Sequence, residues 1–453
     1  MKNSRRVDTK LEDFTNHLVE LFDFGVSQVK PQNILGNFLS CEDRKIVVTE
    51  KKREIIYPNV NQVFILCIGK ASTNMAKTAK KILSSSKCKI KNGVVVVNKE
   101  NFKNVNGFKC FSSGHPIPNS NGLKASKFIK KYLQNSTKKD LVLVFLSGGG
   151  SSLLPFPAPG ITLKDKIKMN KILLESGANI KEINTVRKHL SLIKGGNLAK
   201  MCMPSNVHCF VLSDVVGDDL SSIASGLTTP DNSTFSDAEK IMKKYKIWKK
   251  SPKQIQNHIL LGLKNKKLET PKENNSIFWK VKNTLIGSNN ICLQNIQEHS
   301  NKNNIKSKIW KKNIDEDVIV LSKQFTEYLT KQKHEKPFLL ISGGETTVKI
   351  RGKGKGGRNQ EFALQFLKEI KKKKPSLKFI LLSAGTDGRD GPTNAAGAMI
   401  NHNSLKEIKM KKIDLTKELR NNNSYEVLKK IKSLVIIKGT DTNVADVQLL
   451  FLI

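Results

Sequence analysis

Five short, fully apolar runs, each feeding straight into a small, polar loop, constrain this chain more than any other feature. Residues 63–68 end in Gly69-Lys70-Ala71, and residues 141–146 end in Ser147-Gly148-Gly149-Gly150-Ser151-Ser152. Residues 209–212 lead into Ser213-Asp214, residues 337–341 into Ser342-Gly343-Gly344-Glu345, and residues 379–384 into Gly385-Thr386-Asp387-Gly388. Such runs are too short for core helices and show no alternation of polar and apolar residues. They are the mark of strands buried on both faces. Helical spacing recurs among them, at Leu11, Phe14, Leu18, Leu21 and Phe22, and at Met75, Ala76, Ala79 and Ile82. Strands of this kind alternating with helices predict an α/β protein with largely parallel sheets flanked by helices, Rossmann-like in plan.

The 453 residues exceed what one core encloses, since single cores stop growing at roughly 250–300 residues. The two blocks of runs predict two domains. The first is expected over residues 1–270 and the second over 336–453, joined by a lysine- and asparagine-rich connection at 271–335.

The formal net charge of +40 would suit nucleic acid, yet it is built from 70 Lys and only nine Arg, spread over many segments. Readers of phosphate and base edges favour the planar fork of Arg. Aromatic residues, which stack on single-stranded bases, make up 6%. The expectation is therefore a solvated basic surface with no specific nucleic-acid partner, whose field attracts small anions. Seven cysteines without a Cys-x-x-Cys pair read as reduced thiols. Acids at Asp8, Glu12 and Asp13 argue against a mitochondrial leader, so a cytoplasmic location is expected, with no membrane partner.

The loops carry the chemistry. Glycines at 148, 149 and 150 let backbone N–H groups approach an anion without a Cβ in the way, and Ser147 and Ser151 add hydroxyls. Gly343 and Gly344 repeat the device with Glu345 beside them. Lys70 follows a buried strand, where the ligand crevice of a doubly wound sheet opens. The stretch from Arg351 to Glu361 formally matches Gly-x-Gly-x-x-Gly at 352, 354 and 357. It is too basic for a dinucleotide fingerprint and reads better as a basic clamp over phosphates. Asp214 and Asp387 suit Mg²⁺ held between carboxylate and phosphate, or a base that takes a hydroxyl proton. Arg187 and Lys188 sit on a predicted helix. Four of the nine arginines, Arg187, Arg351, Arg358 and Arg389, lie in or beside these loops. The assembly describes phosphoryl transfer.

The motifs, in this order, resemble the glycerate kinases whose C-terminal domain is called MOFRL, the class that forms 2-phosphoglycerate. The matching stretches are residues 68–72, 113–118, 147–154, 183–191 with 193–196, 213–219 with 223–226, 342–347, 351–362, and 384–388 with 390–393. The resemblance implies two α/β domains around a cleft, and ATP-dependent, Mg²⁺-assisted phosphorylation of D-glycerate. It implies Lys70 and Arg358 as a catalytic basic pair, with Asp214 and Asp387 as base or metal ligands. Ser147, Gly148, Gly149, Gly150, Ser151, Gly343, Gly344 and Glu345 are then expected at nucleotide phosphates, and Arg187 and Lys188 at the glycerate carboxylate. The chain departs from the family's pattern at Asn119 and Asn394, where Asp is expected, at Leu227 in place of Pro, and at Asp441 in place of Gly. The alternatives are a hydroxypyruvate reductase, which needs a dinucleotide site, and an RNA-binding protein.

Overall fold

The computed structural model describes residues 2–332 and 335–453, with side chains from residue 11 onward. The chain forms two compact units: Pro31–Ile286, and Met1–Lys30 together with Gly287–Ile453.

The Pro31–Ile286 unit opens with a small antiparallel sheet of β1 (Leu39–Glu42), β2 (Lys45–Glu50) and β3 (Arg53–Tyr57). Its main sheet contains β4 (Gln62–Ile68), β5 (Lys89–Ile90), β6 (Gly93–Asn98), β7 (Phe108–Ser113), β8 (Leu141–Leu146), β9 (Asn206–Leu212) and β10 (Val281–Gly287). The order is β10-β9-β8-β4-β6-β7, with β5 beside β4. The pairs β4–β6, β6–β7, β4–β8 and β8–β9 are all parallel. Every residue of β6 and β8 is buried, as the unbroken apolar runs require when helices cover both faces. Phe64, Leu66, Ile68, Val94, Val96, Val142, Val144 and Leu146 form the core on one face. A separate helical layer closes around Met169, Leu173, Val186, Leu190, Phe235 and Met242.

The topology positions the site. After β4 the chain adds β6 and β7 on one side, then crosses to add β8 and β9 on the other. Loops leaving β4 and β8 therefore part at the carboxyl ends of adjacent strands, and a crevice opens between them. Gly69-Lys70 leaves β4 there, and the Ser147 glycine turn leaves β8.

The second unit holds β11 (Ser307–Ile314), β12 (Phe338–Gly344), β13 (Phe379–Gly385), β14 (Gly397–Asn401), β15 (Leu434–Val435) and β16 (Asp446–Leu452), in the order β11-β12-β16-β13-β14-β15. Here the sheet departs from the largely parallel expectation. β11 and β12 are parallel, but β16 lies antiparallel between β12 and β13, and β14 and β15 extend the sheet antiparallel. A strand buried on both faces carries no alternation from which its direction could be read. Helix Arg358–Lys373 packs Phe362, Phe366 and Ile370, at four-residue spacing, into an aromatic core with Phe325 and Phe379. Its last turn carries Lys371, Lys372 and Lys373, which complement the negative end of the helix dipole.

The unit boundaries also differ from the expected 1–270, 271–335 and 336–453. Helix Lys2–Ser27 belongs to the second unit: the Phe14 ring packs tilted by 32° against Phe451 at 4.7 Å between ring centroids, and Gly25 lies against Ile296 and Cys292. The stretch expected to be a connection is structured. It supplies β10 to the first sheet and helix Asn289–Lys302, β11 and helix Val318–Lys331 to the second unit. Most of its lysines are exposed, whereas Asn289 turns inward and donates to Val444 O and Asp446 O, each at 2.8 Å. Among the described residues no helix is long and apolar enough to cross a membrane.

Candidate active-site groups

In the first unit, three hydrogen bonds stitch the two loops at the crevice and a fourth ties the first loop to β6. Gly69 N donates to Val96 O at 3.0 Å, Lys70 N to Gly148 O at 2.9 Å, Ala71 N to Ser147 Oγ at 3.0 Å, and Ser147 N to Ile68 O at 2.9 Å. The glycines are required by space as well as by torsion. Gly69 has φ +126° and presses on the Ser147 backbone; Gly149 has φ +84°, and a Cβ there would come within 2.9 Å of the His115 ring. A Cβ on Gly148 would strike the Asp214 carboxylate. The expected helix after the turn is a single turn, Gly150–Leu153. The amides of Gly148, Gly149, Gly150 and Ser151 donate to no acceptor among the described residues. The crevice thus brings together the half-buried Lys70, a run of unengaged amides and the Asp214 carboxylate.

Behind the turn lies a layer drawn from stretches 183–191, 193–196 and 223–226, whose residues sequence reasoning matched without assigning a role to Lys194, Ser225 or Asn184. Lys194, 1% exposed, donates to Ser151 O at 2.6 Å and Ser151 Oγ at 2.8 Å. Ser225 Oγ lies 2.8 Å from Ser151 Oγ and donates to Asn184 Oδ1 at 3.1 Å. Ala224 and Ser225 hold left-handed torsions, φ +50° and +59°, which L residues rarely adopt outside constrained sites. Of the two residues expected at the carboxylate, Arg187 is half-buried and donates from Nε to Asn170 Oδ1 at 2.9 Å. Lys188 is buried instead in an ion pair with Asp231 at 3.4 Å. In a chain with 70 lysines, a buried one has no sequence signal.

In the second unit the structure gathers Arg358, Glu345 and an unforeseen Asp446. Arg358 donates from Nε to Asp446 Oδ2 at 2.5 Å, from one terminal nitrogen to Asp446 Oδ1 at 3.0 Å, and from the other to Glu345 Oε1 at 2.6 Å. Asp446 is completely buried, whereas Arg358 is one-third exposed. Burial would lower the guanidinium pKa, but Asp446 and Glu345 more than reverse that, so Arg358 is a fixed cation. Asp390 caps the N-terminus of helix Arg358–Lys373, accepting from Asn359 N at 3.1 Å and Gln360 N at 2.9 Å. Burial, then repulsion from Asp446, pushes its carboxyl up to about 6 despite those bonds. Asp387 is half-buried and accepts from Arg389 N at 3.0 Å. The hint at Asp446 was one acid opening a run that is apolar apart from Gln448, Asp446-Val447-Gln448-Leu449-Leu450-Phe451.

Gly343 and Gly344 do not form the expected phosphate cradle. They end β12 inside the ladder, opposite Val447 and Asp446. A Cβ on Gly343 would lie 2.9 Å from the Asp446 carbonyl, and one on Gly344 would meet the Ile314 backbone. These glycines serve close strand packing, and Glu345 is the group that emerges. The basic stretch after Arg351 is pinned rather than free. Arg351 N and Gly352 N donate to Asn422 Oδ1, Lys353 N to Asn421 Oδ1, Gly354 N to Asn421 O and Lys355 N to Asn423 Oδ1. Amides engaged this way cannot hold a pyrophosphate, which removes the basis for the dinucleotide alternative.

The family departures fit locally. Asn119 caps helix Ser120–Leu133 by accepting from Gly122 N at 3.1 Å, and Asn394 accepts from Tyr425 at 2.7 Å. Leu227 is fully buried, and Asp441 adopts φ +61°, the torsion that favours glycine.

Two family models match: a domain of unknown function, DUF4147, over residues 17–260, and the MOFRL family over residues 338–446. A glycerate 2-kinase of Pyrococcus horikoshii is 37% identical, over 92% of this chain and 93% of its own length. A D-glycerate 2-kinase of Thermotoga maritima is 36% identical, over 90% and 97%. The crystal structure of a glycerate kinase from Thermotoga maritima superposes with a TM-score of 0.83, at 34% identity, covering 98% of this chain and 100% of the other. A Pyrococcus horikoshii crystal structure gives 0.81 at 35% identity, covering 97% and 98%. The chain belongs to the glycerate 2-kinase family that carries a C-terminal MOFRL domain.

Proposed function

We propose that this protein transfers the γ-phosphoryl group of ATP to the 2-hydroxyl of D-glycerate, giving 2-phosphoglycerate. One observation carries the reading. At the crevice of the parallel sheet, Lys70, four unengaged amides at 148–151 and the Asp214 carboxylate converge on one turn. Amides and an ammonium stabilise phosphate oxygens, and they gain most where charge builds in the transition state.

In this reading Ser147, Gly148, Gly149, Gly150 and Ser151 cradle the nucleotide phosphates, and Lys70 neutralises charge on the migrating group. Arg358, which the family resemblance names as the second catalytic cation, is held as a permanent cation by Asp446, and Glu345 fixes its remaining edge. Asp214 and Asp387 are the candidates for the base that takes the 2-hydroxyl proton. Arg187 addresses the glycerate carboxylate.

No group of three or more His, Cys, Asp or Glu among the described residues is placed to hold a metal ion. Mg²⁺ asks for less, one or two carboxylates plus phosphates and water, and the contact of Asp214 with Gly148 sets a carboxylate against the phosphate turn. Asp214 therefore fits Mg²⁺ as a protein ligand. Bound there, the ion would supply neutralisation of phosphate charge.

A coupled assay on D-glycerate and ATP tests the proposal. Wild type should form 2-phosphoglycerate, and Lys70→Ala should lose on the order of 100-fold in kcat, the scale of removing one transition-state charge contact. A wild-type protein without turnover would refute it.

A further inference from the structure

The helical layer of the Pro31–Ile286 unit holds three basic side chains that no acid neutralises. Lys166, on helix Leu163–Glu175, is 3% exposed, and Lys194, beyond helix Ile180–His189, is 1% exposed. Arg187, on helix Ile180–His189, is half-buried. Their hydrogen bonds all go to neutral acceptors. Lys166 reaches the Leu190 carbonyl at 3.4 Å, Arg187 reaches Asn170 at 2.9 Å, and Lys194 reaches Ser151 at 2.6 and 2.8 Å. Among the described residues no Asp or Glu lies within ion-pair distance of the three, whereas neighbouring Lys188 has Asp231.

The three sense one another. Burial, then repulsion from Lys166 and Arg187, lowers the Lys194 ammonium well below its usual range. Burial and then Arg187 push Lys166 down to about 7. An unpaired buried ammonium costs several kcal/mol, and an apolar side chain of similar volume would pack without that penalty. The fold gains nothing from charging this cluster by itself, whereas an anionic ligand would offset the cost of the charge. The terminal nitrogens of Arg187 keep their donors unengaged among the described residues, and a guanidinium edge matches an anion with two coplanar oxygens. Lys194 ties the cluster directly to Ser151 of the glycine turn.

We infer that Arg187 receives the carboxylate of the acceptor, a small 2-hydroxy acid, and that Lys166 and Lys194 supply the buried positive field that holds it. This rests on the glycerate kinase reading. Lys188, expected in that role from the sequence, is already paired with Asp231 at 3.4 Å, so Arg187 is the better candidate. Arg187 touches the ligand; Lys166 and Lys194 act through it and through Ser151 as positioning residues.

The test compares full-length wild type with Lys166→Met, Lys194→Met and Arg187→Gln. Thermal melting, calorimetric titration of D-glycerate without ATP, and steady-state kinetics are measured on each. Both Met variants should melt at or above the wild-type temperature, because an unpaired buried charge has gone. Their D-glycerate affinity should fall at least about tenfold, which is about 1.4 kcal/mol. KM for D-glycerate should rise in step, with KM for ATP unchanged in Lys166→Met, and glycerol, which lacks the carboxylate, should bind to none of the proteins. A structural role predicts the reverse, lower melting with unchanged D-glycerate affinity, and that result overturns the inference. So does an Arg187→Gln protein that binds D-glycerate like wild type, or a wild type that shows neither binding nor a KM for it. A wild type that binds D-glycerate without transferring phosphoryl sinks the kinase reading and leaves the site standing. Turnover with unchanged KM in all three variants does the opposite.

Discussion

The Arg358 guanidinium meets the Asp446 carboxylate through two parallel hydrogen bonds, 2.5 Å from Nε and 3.0 Å from a terminal nitrogen, with the acid wholly buried and the base one-third exposed. Asp446 fixes the plane of the fork, and Glu345 fixes its outer edge. Asp446→Asn should lower stability by about 2–3 kcal/mol, less than a fully buried pair would lose. If Arg358 acts on the transition state, kcat should fall by at least about tenfold with little change in KM. Urea unfolding and steady-state kinetics on the same preparation check both halves.

The glycine turn makes a sharper prediction. Gly148→Ala places a methyl against the Asp214 carboxylate, and Gly149→Ala forces φ +84° on a residue with a Cβ beside His115. Left-handed torsion costs an L residue about 1–2 kcal/mol, too little to unfold a chain of this size. Both variants should keep their circular dichroism spectrum yet lose on the order of 100-fold in kcat/KM, through displaced amides and carboxylate. Wild-type kinetics in Gly148→Ala would show that the turn does not carry the phosphate.

Asp390 gives a pH signature in the acid range. Its folded pKa is raised from 3.8 to about 6, so the folded state binds more protons than the unfolded state between those values. Its contribution is fully present below the unfolded value and is lost as pH rises through about 6. Denaturant midpoints measured between pH 4 and 7 should contain this falling component, and Asp390→Asn should remove it.

Lys166 acts in the opposite sense on the alkaline side. Its folded pKa is lowered from 10.5 to about 7, so the unfolded state binds more protons between those values. Stability should therefore climb as pH rises from about 7 towards 10, and Lys166→Met should flatten the climb. Unfolding midpoints across that range decide it, and saturating D-glycerate should reduce the slope in wild type by keeping the ammonium charged.

Much of this was legible in the sequence where hydrophobicity alone decides. The runs at 63–68, 141–146, 209–212 and 379–384 became β4, β8, β9 and β13, and the turns after β4 and β8 stand at the crevice their glycines implied. Direction and pairing were not legible. β16 reads like any buried strand, and nothing in Val447-Gln448-Leu449-Leu450 says that it runs antiparallel between β12 and β13. The glycines at 343 and 344 looked like those at 148 and 149, because sequence does not distinguish a glycine that frees an amide from one that admits a neighbouring strand. Lys166 was hidden among surface lysines, Lys194 lay in a matched stretch without a role, and Asp446 opened a largely apolar run.

The docking of helix Lys2–Ser27 on the last strand has a consequence for how the chain matures. Phe14 leaves the ribosome more than four hundred residues before its partner Phe451, with all of Pro31–Ile286 made in between. The first unit has every strand of its sheet soon after Gly287 emerges, so it can close while synthesis continues. The second must keep an amphipathic helix waiting for a strand encoded more than four hundred residues later, and its loop-closure cost is met at the end. A fragment begun at Gly287 would leave the Phe451 ring without its cover, so the two halves of this protein cannot be separated by one cut.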